Sequence, residues 1–208
     1  SKTATRDLAL SADGKMLAVS RRDESGGSNS DVWLHEFARG VETRFSFAPG
    51  LDGNAVWSPD GTRLAFTAEG RVRVVAVAGG VPIDVCEGSS PVWINDTALV
   101  VGVDRDDATA LARVQVDDAW PARLAVHAGD CISPVLSPDR TYLAHLVFHH
   151  DDLNCTSLHL VDLADGSTRE LVHDASMNVR SPAFTPDGAH VLYASERSGW
   201  YELESIDL

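Results

Sequence analysis

The sequence predicts an all-β fold, a β-propeller of four-stranded antiparallel blades with about five blades present and the last one incomplete. Three observations predict it. A short corner recurs as "SADG" at 11–14, "SPDG" at 58–61, "INDT" at 94–97, "SPDR" at 137–140 and "TPDG" at 185–188. Its shared acidic residue falls at Asp13, Asp60, Asp96, Asp139 and Asp187, a spacing close to the roughly 40 to 50 residues of a propeller blade. Each corner stands between a large apolar residue (Leu10, Trp57, Trp93, Leu136, Phe184) and an apolar run, respectively "MLAVS", "RLAFTA", "ALVVGV", "YLAHLVF" and "VLYAS".

The corner has a mechanism. Pro59 presets φ at the first corner position, the Asp60 carboxylate can accept from nearby backbone, and Gly61 tolerates the positive φ that closes a short hairpin with a bulge. Two antiparallel strands therefore flank it. The strand after the corner is nearly continuous apolar sequence, as expected where both faces of a sheet are covered by neighbouring sheets. A third strand reads as "DVWLHEF", "RVRVVAV", "LARVQV", "SLHLVDL" and "YELESIDL", and a fourth as "ETRFSF", "PIDVCE", "ARLAV" and "TRELV". The blades fall at about 7–50, 51–88, 89–128, 129–174 and 178–208. The fifth repeat stops after its third strand. Either residues 1–7 supply its outer strand or the ring continues beyond this sequence, and the second expectation, a fragment of a larger propeller, is favoured. Bare terminal blades would then promote self-association.

Composition narrows the partners. Seventeen Lys and Arg against 31 Asp and Glu give a net charge of -14, which repels nucleic acid and anionic lipid alike. Neither a nucleic acid nor a membrane is expected as a partner. No apolar stretch approaches the roughly 18 to 20 residues of a membrane span, and "SKTATRDLAL" lacks the apolar middle of a secretory signal. Cys86, Cys131 and Cys155 are odd in number, widely spaced and free of any CxxC pair, so buried reduced thiols and a cytoplasmic address are expected.

The blade wording "PVLSPDRTYLAHL" and "PAFTPDGAHVLYASERSGWYELESIDL" resembles the Pro-Asp propeller repeats of TolB-like proteins and of the prolyl oligopeptidase family, closest to its acylaminoacyl-peptidase and dipeptidyl-peptidase branch. The resemblance covers nearly the whole chain, and "SERSGWYEL" at 195–203 points most directly to the peptidase branch. It implies a propeller that covers an α/β-hydrolase domain of the same parent chain and admits short or unfolded peptide substrates. Such a hydrolase needs a GxSxG nucleophile elbow. This chain has none; "GGSNS" at 26–30 and "EGSSP" at 87–91 are the nearest approaches. The chain alone is therefore expected not to hydrolyse peptides, while its parent is a serine peptidase in this reading.

Candidate contact residues lie on the face that carries the loops between second and third strands, because loops on a rigid scaffold usually carry function. Arg21, Arg22 and Glu24 could meet a peptide terminus, although a surface ion pair is the favoured explanation. Arg105 lies in "DRDD", which matches a calcium loop in charge alone and lacks its Gly and bidentate Glu. His149 and His150 open "HHDD", where consecutive residues of an extended chain point in alternating directions and cannot all reach one ion. Arg197 and Trp200 could stack as a cation-π pair, or Trp200 could pack between blades. Trp33, Trp57 and Trp93 belong to the core. No catalytic residue, metal or cofactor is expected.

Two other functions fit the same scaffold. One is a TolB-like module that binds another protein on the loop face, with a periplasmic or secreted address. The other is a five-bladed carbohydrate-active enzyme using paired carboxylates, for which no repeat offers a distinctive inward acidic residue.

Overall fold

The computed structural model of the chain describes residues 5–22, 29–105, 108–125, 127, 129–150, 155–174 and 177–208. They form five antiparallel sheets. The first contains β1 (Thr5–Leu10), β2 (Met16–Arg22), β3 (Ser30–Glu36) and β4 (Val41–Arg44); the second contains β5 (Gly53–Trp57), β6 (Arg63–Ala68), β7 (Arg71–Ala76) and β8 (Ile83–Glu87). The third contains β9 (Ser89–Asn95), β10 (Ala98–Arg105), β11 (Ala108–Gln115) and β12 (Asp118–Ala125). The fourth contains β13 (Asp130–Leu136), β14 (Tyr142–His149), β15 (Cys155–Asp162) and β16 (Thr168–Val172), and the last has only β17 (Val179–Phe184), β18 (His190–Ser195) and β19 (Glu202–Asp207). Strands are paired in chain order within each sheet, the meander of a propeller blade. No helix among the described residues is long and apolar enough to cross a membrane.

Four of the five corners are built alike, whereas in the third Asn95 Oδ1 accepts the Thr97 and Ala98 amides and Asp96 accepts the Asp60 amide instead. Ser58 Oγ donates to Asp60 and accepts the amide of Arg63 at 2.9 Å, while the Thr62 amide donates to the same Asp60 oxygen at 2.9 Å. Ser11 with Asp13, Ser137 with Asp139 and Thr185 with Asp187 repeat this bridge. The residue after the Asp adopts positive φ, 69° at Gly14, 70° at Gly61 and 72° at Gly188, and Arg140 takes the same conformation at 62°.

A second device repeats in the first strand of the blades. Asn54, Ser90, Ser133 and Ser181 all have φ between 51° and 53°, and the register shifts there in β5, β13 and β17. Those three are β-bulges, and they explain how Pro134 and Pro182 sit inside strands. A bulge leaves a residue outside the ladder, so the missing N–H of proline costs no hydrogen bond.

The chain divides into two compact units, Ser1–Val101 with Val114–Pro121 and Gly102–Arg113 with Ala122–Leu208. In the first, Ala18, Val32, Leu34, Ala55, Leu64 and Phe66 form a buried cluster between the first two sheets, with Trp57 packed against it. Trp57 Nε1 donates to the Ala9 carbonyl at 2.8 Å, and Trp93 repeats the contact one blade on, to the Val56 carbonyl at 3.2 Å. In the second, Leu146, Leu158 and Leu160 of the fourth sheet pack against Val179, Val191 and Tyr193 of the last. Each buried leucine contributes about 1.5–3 kcal/mol of hydrophobic stabilisation.

Two segments expected as loops are shorter than the sequence implied. β10 runs through Arg105 and β11 resumes at Ala108; β14 runs through His149 and β15 resumes at Cys155. Strand pairing runs past the apolar residues, as far as His149 opposite Cys155 in the fourth sheet, and takes in residues assigned to loops on polarity alone.

Candidate functional site

The predicted contact residues are scattered, and several already have partners. Arg21 is engaged by Glu42 through both carboxylate oxygens at 2.8 and 2.9 Å, and its guanidinium lies 5.2 Å from the Trp33 ring. Arg22 and Arg105 are exposed at the ends of their strands, and Glu24 lies outside the described residues. Arg197 lies 3.8 Å from Glu204. Trp200 is 81% exposed, so it is not packed between blades within this chain. The cation-π pair of this corner is instead Arg180 over Tyr201 at 4.7 Å.

His149 and His150 diverge. His150 Nε2 meets Asp130 at 3.1 Å, whereas His149 Nε2 meets Ser157 Oγ at 2.7 Å and its ring stacks on His173 at 5.0 Å. Asp151 and Asp152, the other half of "HHDD", lie outside the described residues.

His149 leads to a constellation that the sequence did not single out. In the fourth sheet Cys131 is opposite Val147, His145 opposite His159, and Val147 opposite Ser157, while His159 is opposite Glu170. Paired residues of an antiparallel ladder share a face, as do residues two apart. Cys131, His145, His149, Ser157, His159 and Glu170 therefore lie on one face. The alternate residues Ala144, Leu146, Leu158 and Leu160 fill the core on the other. His127, on the linker before β13, adds its ring to the polar face, 4.3 Å from that of His159 and 5.2 Å from that of His145.

Burial governs the charge of this cluster. His145 is 0% exposed. Desolvation, reinforced by His127 and His159, pulls its pKa down to about 3, and desolvation with His127 pulls that of His159 down to about 4. The His127 pKa is lowered by the same cause. Burial also pushes the Cys131 thiol up to about 11, opposed by backbone hydrogen bonds with Leu111 and His127. At neutral pH His127, His145 and His159 are thus neutral imidazoles and Cys131 is a protonated thiol. Both ring nitrogens of His145 and Nε2 of His127 lack a hydrogen-bond partner among the described residues.

Ser157, His159 and Glu170 superficially suggest a hydrolytic triad, but the geometry is wrong for one. Ser157 Oγ lies 2.8 Å from His159 Nε2, and Glu170 approaches that same nitrogen at 3.8 Å. A relay needs the carboxylate on the opposite ring nitrogen. Ser157 is also fully buried, so no substrate carbonyl reaches it.

Sequence reasoning missed His127, Cys131 and His145 because they form no local motif. They come from a linker and two strands, and strand register alone brings them together. A usable signal was present, however: His145, His149 and His159 occupy alternate positions on strands that are otherwise apolar.

No family model matches the chain, and no curated protein matches it in sequence. Solved structures do match in fold. A puromycin hydrolase superposes at a TM-score of 0.77 with 18% identity, over 100% of this chain and 38% of its own. A puromycin-hydrolyzing peptidase of Mycobacterium tuberculosis matches at 0.81 with 14% identity, over 100% and 36%. TolB from Acinetobacter baumannii matches at 0.72 with 17% identity, over 99% and 52%. The chain thus spans less than two fifths of the length of the two puromycin-hydrolyzing proteins and about half that of this TolB. At these identities the likeness establishes the fold alone: the chain is a β-propeller segment, similar in fold to part of each of these proteins.

Proposed function

We propose that the chain is the propeller of a serine peptidase of the prolyl oligopeptidase family, non-catalytic by itself, that gates or selects peptide substrates for an α/β-hydrolase domain of the same parent chain. One observation carries the reading: the whole chain superposes on part of two puromycin-hydrolyzing proteins, with TM-scores of 0.77 and 0.81. The absence of a GxSxG elbow from the sequence agrees with a non-catalytic role. Arg22, Arg105, Arg197 and Trp200, exposed on the described surface, are the residues proposed to meet peptide or hydrolase. The chain by itself should release no product from puromycin or from aminoacyl and peptidyl nitroanilides. The complete reading frame should encode a GxSxG elbow followed by Asp and His, and its product should lose activity to a serine-directed phosphonofluoridate. A complete reading frame without that elbow would overturn the proposal.

A TolB-like interaction module is the second reading, favoured by the match to TolB over 99% of this chain. Capture of a partner protein by a parent that encodes no hydrolase would support it.

A further inference from the structure

We propose that His127, Cys131 and His145 form a binding site for a zinc-like divalent ion, which ties the linker before β13 to the fourth sheet. Their candidate donor atoms, two imidazole nitrogens and one sulfur, all lie within 4.8 Å of one another. Around a tetrahedral zinc, with bonds of about 2.0–2.1 Å to nitrogen and 2.3 Å to sulfur, donors stand roughly 3.3–3.6 Å apart. Closing the difference takes a shift of about an ångström. His127 can supply it, because it sits on a linker and is only partly buried, whereas Cys131 and His145 are held in paired strands.

The second observation is independent of the spacing. His145 is wholly buried, and neither of its ring nitrogens has a partner among the described residues; Nε2 of His127 lacks one as well. Buried polar atoms left unpaired are rare and call for an explanation, of which a bound ion is one. A bound ion would employ a nitrogen on each ring. The backbone hydrogen bonds from Leu111 and His127 to the Cys131 sulfur offset part of the cost that burial puts on a thiolate there.

The donor set selects the ion. Thiolate and imidazole favour zinc or cobalt over hard ions such as manganese or magnesium, which prefer oxygen ligands. On binding, the sulfur–hydrogen bond of Cys131 is replaced by a sulfur–metal bond and the proton passes to solvent. The site then carries one positive charge, in a chain whose net charge is -14, and a fourth coordination position remains for water.

The test uses the full chain, stripped with a chelator and titrated with Co²⁺. Wild type should develop a thiolate-to-cobalt charge-transfer band in the near ultraviolet together with intense tetrahedral visible bands. One equivalent of Zn²⁺ should abolish both, and Mn²⁺ should leave them unchanged. Cys131→Ser should lose the charge-transfer band. His127→Ala should weaken binding at least about 100-fold, since removing mere outer-shell partners already costs 10–100-fold. It also keeps the test decisive if Cys131→Ser fails to fold, because it changes a partly exposed linker residue. Weak octahedral cobalt spectra without a sulfur band, or a Co²⁺ affinity unchanged in His127→Ala, would overturn the proposal. None of these readouts depends on the parent being a peptidase.

Discussion

Replacing His145 by leucine should stabilise the metal-free chain, the opposite of the usual result at a fully buried position. A neutral imidazole carries one donor and one acceptor, and His145 satisfies neither within the described structure. Each unpaired buried group costs about 1–3 kcal/mol. His145→Leu removes both at similar volume. Against that stand a shape mismatch of under about 1.5 kcal/mol and the loss of ring contacts with His127 and His159 at 5.2 and 5.6 Å, each worth about 0.5–1.5 kcal/mol for aromatic pairs. The balance is a gain of about 1 kcal/mol. With a urea m-value of about 2 kcal/mol/M, the unfolding midpoint should rise by about 0.5 M. The measurement belongs in chelator at about pH 8, where histidine is neutral in the unfolded chain as well. Zinc should then raise the midpoint of wild type and leave His145→Leu unchanged. A variant less stable than wild type by about 1 kcal/mol or more in chelator would refute the reasoning, since the two nitrogens would then be satisfied.

Three further outcomes follow from the corners and the surface. Gly61→Ala should destabilise by about 0.5–1 kcal/mol in urea unfolding, because a left-handed conformation costs a side chain about 1–2 kcal/mol and reduced unfolded-state entropy offsets about half; its φ is 70° and a Cβ would meet nothing within 4 Å, so the cost is torsional. Hydrogen bonds from Ser11 and Ser58 and from the Lys15 and Thr62 amides hold the Asp13 and Asp60 pKa values down to about 2, below the model-peptide value of 3.8. The folded state therefore releases these protons more readily than the unfolded one, so their stabilisation is complete above about pH 4 and disappears as pH falls towards 2; urea midpoints should fall across that window, and less steeply in Asp60→Asn. Finally, Leu203 is 75% exposed and Leu8 66% exposed, so the chain should self-associate in sedimentation experiments, with Leu203→Lys shifting it towards monomer; a wild-type chain that sediments only as monomer would exclude such association.

Much of the architecture is written in local chemistry. A Ser or Thr, an Asp two residues on and a glycine after it close a hairpin through hydrogen bonds spanning no more than five residues, so the corner at 58–63 can be read without knowledge of the rest of the chain. The blade repeat and the three-stranded last sheet follow from counting such corners. Arg21, by contrast, reads as an available contact residue until the fold sets Glu42 beside it, and whether Trp200 stacks on Arg197 or packs between blades stays open until its surroundings are seen. The histidine face lies furthest from the sequence, because it depends on which residue of β14 stands opposite which residue of β13 and β15. A slip of one residue in that register would turn His145 and His159 into the apolar core and Leu146 and Leu158 out of it. Alternation along a strand is thus visible in the amino-acid order, but the meeting of His127, Cys131 and His145 is a property of long-range strand pairing, and so is the burial that keeps their imidazoles neutral.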